Sequence, residues 1–229
     1  MAASTLLLGI DTCGPTGSVA LGRWFGQVIE LLGQIELEGR NYSSTLVAAV
    51  GELLAGAGMQ LGQLNAIVVV NGPGSFTGVR VGLAAVKGLA EPARIPVVAV
   101  SRLEVLAAKA GIAWAALDAH RHEVYLRVEE AGEPAREMLA GAHELAEVDS
   151  PPARIALCDE AAALLIGAAW PEAELVNTAA PNAGDALRLC APRVAAGDFA
   201  DLALLDGHYL RRSDAEIFGE AAAQGLERP

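Results

Sequence analysis

A glycine-rich stretch between an apolar strand and a helix is the part of the chain best suited to chemistry. Residues 66–70 read Ala-Ile-Val-Val-Val, and residues 71–82 read Asn-Gly-Pro-Gly-Ser-Phe-Thr-Gly-Val-Arg-Val-Gly. This junction predicts a tight turn with Ser75 as the helix N-cap and outward amide groups that could hold a phosphate. The possible nucleotide or phosphate contacts are therefore Gly72, Gly74 and Ser75. A turn needed only for packing is the alternative, because no Gly-Lys-Ser/Thr triplet follows to complete a Walker loop.

The helix after this turn carries glycines four residues apart. Gly74, Gly78 and Gly82 fall on one face, and a glycine inside a helix costs about 1 kcal/mol relative to alanine. This face therefore predicts the close approach of a ligand or of another helix. The apolar residues beside it could pack against the chain's own sheet or face a partner helix.

Composition limits the classes of function. The chain has 229 residues, 53% of them hydrophobic, and a net charge of −12. Such an acidic chain is a poor candidate for gripping RNA or DNA alone, so a partner would have to supply the positive surface. No apolar run approaches the roughly 20 residues needed to span a bilayer. The N-terminus carries no basic residue before its apolar run, and we therefore expect a cytoplasmic protein without membrane contact.

The order of predicted elements indicates two similar units. The first has strands at 6–10, 18–23 and 27–38, a helix at 42–55, a strand at 66–70, a helix to residue 90, a strand at 97–100 and a helix at 103–110. The second has strands at 114–117, 123–128 and 136–139, a helix at 141–147, a strand at 154–158, a helix at 159–168, a strand at 173–176 and a helix at 182–196. Two tandem βββαβαβα units predict an α/β, RNase H-like, actin-like fold with domains 1–110 and 111–229. In that architecture a nucleotide usually lies between the halves.

Two aspartates end predicted strands, where actin-like folds hold metal–phosphate oxygens. Asp11 ends the first strand of the first unit, and Asp118 ends the first strand of the second. Asp11 and its neighbour Thr12 are thus further possible nucleotide or phosphate contacts. Capping of the loop by the carboxylate is the favoured alternative, more so for Asp118 than for Asp11.

Other candidate groups predict neither catalysis nor a metal site. His120 and His122 have no third ligand near them in sequence, which favours an exposed loop. Cys13, Cys158 and Cys190 lack the spacing of a zinc site or a disulfide framework. No Ser-His-Asp, Cys-His or His-Glu-x-x-His arrangement is visible. The sequence therefore predicts no catalytic residue.

These motifs together resemble the bacterial TsaB (YeaZ) family. The resemblance rests on residues 9–12, 72–82, 98–101, 117–125 and 209–211. It implies a subunit of the complex that forms threonylcarbamoyladenosine beside the anticodon of tRNAs. The catalytic paralogue of that family, TsaD, binds a metal through a His-x-x-x-His pair, and Arg102 and Leu106 stand at those positions here. Neither can bind a metal at neutral pH, so the resemblance implies a non-catalytic scaffold and activator.

The resemblance also implies a set of partners. The chain would bind the TsaD-like paralogue, a TsaE-like ATPase would join, and tRNA would be contacted only through the complex. The chain alone would hold no cofactor, whereas ATP or ADP could bind at the interface of the complex, and a homodimer could form without the partner. Family members pair through their first two helices, here 41–56 and 75–90. The implied partner-binding residues are Asn41, Leu46, Val50, Phe76, Val79, Arg80, Leu83 and Val86.

Two other functions stay open at this stage. One is a metallopeptidase of the glycoprotease type, against which the missing histidines argue. The other is a stand-alone ATPase of the sugar-kinase type, which would require nucleotide affinity in the isolated chain.

Overall fold

Two five-stranded sheets carry the fold in the computed structural model, which describes residues 4–38, 41–130 and 132–211. The first half contains β1 (Thr5–Asp11), β2 (Thr16–Trp24), β3 (Ile29–Glu38), α1 (Tyr42–Gly56), β4 (Ala66–Val70), α2 (Phe76–Ala93), β5 (Val97–Val100) and α3 (Arg102–Ala110). The second contains β6 (Ala115–Asp118), β7 (Val124–Val128), β8 (Arg136–Ala140), α4 (Ala142–Ala146), β9 (Arg154–Leu157), α5 (Glu160–Ala169), β10 (Glu174–Asn177) and α6 (Ala183–Ala196). Each predicted strand and helix is present, with ends shifted by a few residues.

The two sheets share one strand order. The first runs β3-β2-β1-β4-β5 and the second runs β8-β7-β6-β9-β10. In each sheet the first three strands pair antiparallel, and the last two join in parallel. The central strand β4 is buried along its whole length, as expected for a parallel strand covered on both faces. The predicted α/β, actin-like fold with tandem βββαβαβα units is confirmed.

Helix α6 crosses back to the first sheet. It packs against β1, β2, β4 and β5, and its Leu187 and Cys190 lie in the core of the first half. The Ala183 amide donates to Ser18 Oγ at 2.8 Å. The predicted division between residues 110 and 111 stays a prediction, and residues 212–229 of its second domain lie outside the described residues.

Gly78 and Gly82 form a glycine face of α2 that, together with Gly74 of the preceding turn, rests on the loop that follows β1. A Cβ atom at Gly74 would overlap the carbonyl oxygen of Cys13, and one at Gly78 would overlap that of Thr12. At Gly82 it would overlap the Thr12 hydroxyl. The predicted close approach is therefore present, but the neighbour is the chain's own loop after β1. This corrects the expectation of a ligand or a partner helix at this face.

Hydrogen bonds hold α2 and this loop together. The Thr12 hydroxyl donates to the Gly78 carbonyl at 2.7 Å, and the Ser75 amide donates to the Cys13 carbonyl at 2.8 Å. The bond between Thr12 and Gly78 is buried, where a lost partner leaves a polar group unsatisfied. The position of the helix start is thus fixed by the loop after β1.

Within the described ranges, no helix has both the length and the apolar character required to cross a membrane.

We expect Gly78→Ala to destabilise the protein, since its methyl group would have to displace the Thr12 carbonyl. The free energy of unfolding should fall by about 1–3 kcal/mol or more. Gly88 lies in the same helix with no atom near the position of a Cβ, so Gly88→Ala should raise it by up to about 1 kcal/mol. Urea unfolding of both variants measures the difference, and equal effects would contradict the packing described.

A second pair of variants tests the position of α6. Leu187→Ala removes a fully buried side chain from the core of the first half and should cost about 2–5 kcal/mol of unfolding free energy. Leu164 on α5 is 68% exposed, and Leu164→Ala should change stability by less than about 0.5 kcal/mol. Thermal and urea unfolding give both values. A Leu187→Ala variant as stable as the parent would place α6 elsewhere.

Candidate functional site

A cleft of about 780 Å³ lies between the two halves. The first half contributes the loop after β1, the turn before α2 and the start of α3. The second half contributes the ends of β6 and β9 and the segment that reaches Arg211. The carboxyl ends of parallel strands from both sheets meet here, which is where open α/β sheets place ligands.

The predicted phosphate contacts divide into two groups around this cleft. Gly74 and Ser75 line it. Asp11 and Thr12 are buried behind the loop, and Gly72 is also buried and absent from the wall. These three residues do not line the cleft, and their role as phosphate contacts stays a prediction.

Asp11 caps the loop that it begins. Its Oδ1 accepts a hydrogen bond from the Cys13 amide at 2.8 Å, which matches the favoured interpretation of this carboxylate. Its Oδ2 has no hydrogen-bond partner and lies 3.8 Å from Arg102 Nε. Burial raises the pKa of Asp11, and the nearby guanidinium opposes that rise.

The turn before α2 has the predicted form, and several backbone groups at this turn are already hydrogen-bonded within the protein. Gly72 and Gly74 have positive φ angles of 114° and 157°, which favour glycine. Ser75 Oγ accepts from the Gly78 amide at 3.2 Å and so caps the helix. The Gly72 carbonyl accepts from the Arg102 amide at 2.7 Å. In the first turn of α2, the amides of Phe76 and of Thr77 remain without an acceptor among the described residues.

The opposite wall contains two carboxylates that accept hydrogen bonds from nearby backbone amides. Asp118 accepts from the His120 amide at 2.8 Å, and its other oxygen lies 2.8 Å from His120 Nδ1. Asp159 accepts from the amides of Asp118 and Ala162. Asp118 is therefore a loop cap, as favoured from the sequence.

His120 and His122 lie in an exposed turn with φ angles of 59° and 62°. In the part of the chain that the structure describes, no three His, Cys, Asp or Glu side chains come close enough to hold a metal ion. All three cysteines are free. Cys13 is buried and donates to the Val70 carbonyl at 3.2 Å, and burial raises the pKa of its thiol well above the ordinary value.

The predicted partner-binding residues also divide by exposure. The apolar ones are buried in the core of the first half, namely Leu46, Val50, Val79, Leu83 and Val86. Their prediction as contact residues is corrected, because their side chains pack beneath α1 and α2 on the chain's own sheet. Asn41, Phe76 and Arg80 are exposed, and for them the partner role stays a prediction.

An exposed aromatic cluster joins α2 to the last described residues. The Arg80 guanidinium carbon lies 3.7 Å from the centre of the Phe76 ring, and its Nε donates to the Tyr209 hydroxyl at 3.4 Å. The two rings are 5.3 Å apart between centres. Tyr209 belongs to the segment 209–211 that carries the family resemblance, but its contact with Arg80 was not predicted, since it lies 129 positions away and no local spacing connects them.

Comparison with known proteins gives consistent matches. The family described as "TsaD: tRNA N6-adenosine threonylcarbamoyltransferase" matches residues 34–154. "tRNA threonylcarbamoyladenosine biosynthesis protein TsaB" from Haemophilus influenzae is 38% identical over 125 residues, which cover 52% of this chain and 51% of that protein. The protein of the same name from Bacillus subtilis is 39% identical over 123 residues, 52% of each. The chain thus spans about half the length of the curated relatives it matches.

A solved structure matches over a longer range. "YeaZ from Pseudomonas aeruginosa" aligns with a TM-score of 0.70 and 28% sequence identity, and the alignment covers 90% of this chain and 100% of that one. A second structure, titled as an uncharacterized protein with similarity to peptidase YEAZ from the same organism, aligns with a TM-score of 0.72 at the same identity and coverage. Since the family match spans more than half of the chain and the curated relatives and solved neighbours agree with it, the chain belongs to the TsaD-type family and, within it, to the TsaB (YeaZ) group.

Proposed function

We propose that the chain is a non-catalytic subunit of the complex that forms threonylcarbamoyladenosine in tRNA. In this role it holds and activates a TsaD-like catalytic paralogue in the cytoplasm. The curated relatives are named for the biosynthesis of this nucleoside, and the matching family is named for the transferase.

The observation that carries the non-catalytic role is what occupies the positions of the paralogue's metal-binding histidines. Arg102 is buried beside Asp11, and Leu106 is fully buried in a hydrophobic cluster with Leu103. A guanidinium stays protonated at neutral pH and a leucine side chain has no lone pair. Neither residue can therefore supply a metal ligand at the positions where the resemblance places the histidines of the catalytic paralogue.

The exposed face of α1 and α2 is the surface we propose for the partner. Val47 on α1 is 57% exposed, and Asn41, Phe76 and Arg80 are also at the surface. Aromatic and arginine side chains are enriched among the residues that dominate binding energy. Without the partner, the same face would support a homodimer, because exposed apolar patches favour burial.

The charge of the chain supports an indirect contact with tRNA. A chain with a net charge of −12 repels tRNA phosphates, so the positive surface must come mainly from the paralogue. The TsaE-like ATPase, and ATP or ADP bound at the interface of the complex, belong to the same proposal.

Peptidase activity has little chemical support in this chain, although one structural neighbour is described as similar to a peptidase. The metallopeptidase alternative requires a set of metal ligands, and among the described residues no three His, Cys, Asp or Glu side chains lie close enough together to hold a metal ion. A stand-alone ATPase is likewise disfavoured, because Asp11 and Thr12 are buried and do not line the cleft.

Reconstitution tests the scaffold role. Unmodified tRNA is incubated with the TsaD-like and TsaE-like subunits and their substrates, with and without this chain, and the modified nucleoside is quantified by mass spectrometry. We expect modification only when this chain is present, and none from this chain by itself. Full modification without the chain would contradict an activating role, and modification by the chain alone would contradict a non-catalytic one.

Charge reversal tests the partner surface. Arg80→Glu should weaken binding to the TsaD-like subunit by about tenfold or more, since arginine contacts are often dominant at interfaces. Arg154→Glu is the control, because Arg154 lies on β9 in an exposed ion pair with Glu174. Both affinities can be measured by calorimetry with the purified subunits, after unfolding curves confirm folded variants. Equal affinity of the two variants for the TsaD-like subunit would contradict the placement of Arg80 and α2 in the interface.

A further inference from the structure

The Arg102 side chain is a buried charge with an unsatisfied donor. Arg102 is the first residue of α3 and is 7% exposed, and its Nε has no hydrogen-bond partner among the described residues. The nearest carboxylate oxygen, Asp11 Oδ2, is 3.8 Å from Nε and itself lacks a donor. Buried polar groups in proteins are nearly always satisfied, and exceptions often mark a missing ligand, ion or water.

The guanidinium forms part of the wall of the cleft between the halves. Its Nη2 stands over Gly14, where an added Cβ atom would lie only 2.5 Å away. A residue with a side chain at this position would therefore compete with the guanidinium for space.

The start of α2 points into the same cleft. Gly74, Ser75 and Phe76 line the wall beside Arg102, and α2 is 18 residues long. The first-turn amides of Phe76 and Thr77 are free of protein acceptors among the described residues. A helix N-terminus attracts anions, and a guanidinium binds carboxylate or phosphate oxygens in a two-pronged geometry. Two independent features thus favour the same kind of ligand group.

The other charged groups of the cleft limit what the rest of the ligand can be. Asp118 and Asp159 face it from the second half, and Glu38 lies at its wall. His120 also lines it beside Asp118, and Arg211 does so while paired with Glu123. A ligand with several negative charges would be repelled by these carboxylates, whereas hydroxyl or ammonium groups would be accepted by them.

We propose that this cleft binds a small molecule through one oxyanion, either a carboxylate or a phosphoryl group, and that Arg102 is the principal ligand of that oxyanion. The free amides at the start of α2 complete the site, and a polar, uncharged or cationic remainder faces Asp118 and Asp159. This site does not depend on the role in tRNA modification and is tested without it.

The site can be tested by titrating the full chain with inorganic phosphate and, separately, with acetate. Sodium chloride keeps the ionic strength constant. The melting temperature is the first readout. The second is the alkylation rate of Cys158, the half-buried thiol of the cleft, since Cys13 and Cys190 are buried. We expect a saturable rise in melting temperature and saturable protection of Cys158. A larger response to phosphate would identify a phosphoryl ligand, and a larger response to acetate a carboxylate.

Substitutions assign the effect to Arg102. Arg102→Gln should weaken the response at least about tenfold, because a charged hydrogen-bonding group is lost. Arg102→Lys keeps the positive charge but not the two-pronged geometry of the guanidinium, and it should retain part of the response. Arg154→Gln, which alters an exposed ion pair on β9, should respond like the parent. No saturable response in the parent chain, or an undiminished response in either folded Arg102 variant, would overturn the proposal.

Discussion

The contact between the glycine face of α2 and the backbone of Thr12 and Cys13 sets the position of everything around the cleft. It fixes where α2 begins. In the adjoining turn, the Gly72 carbonyl accepts a hydrogen bond from the Arg102 amide. The ends of β1, β4 and β5 are therefore tied to one another through main-chain groups. A side chain larger than hydrogen at any of the three glycines would separate these elements.

Periodicity and turn chemistry predicted the elements of this protein well. The alternating pattern of β7 and the continuous apolar run of β4 correspond to strands with one and two buried faces. Ser75 was recognisable as an N-cap because serine before a helical pattern has a local purpose. Glycines at a spacing of four residues correctly indicated a close approach.

What the sequence could not supply was the identity of the neighbours. Gly78 meets Thr12 across 66 positions, and nothing local distinguishes that contact from one with a partner. The same limit explains why Val79 and Leu83 were assigned to an interface. The sequence pattern of an apolar stripe is the same whether the stripe packs on the chain's own sheet or on a partner. Arg102 was considered only as a residue that cannot bind metal, because its burial beside Asp11 depends on tertiary structure.

The return of α6 to the first sheet has a mechanical consequence. The chain passes between the halves from α3 into β6 and from β10 into α6, and after α6 it reaches the second half again, where Arg211 pairs with Glu123. Glu137 of β8 adds a polar tie, since it accepts from Ser101 at 2.6 Å and lies 2.9 Å from His208 Nε2. The contacts of Glu137 and the buried cluster in which Leu103 and Leu106 of α3 pack with Leu117 of β6 therefore restrain the second half against the first.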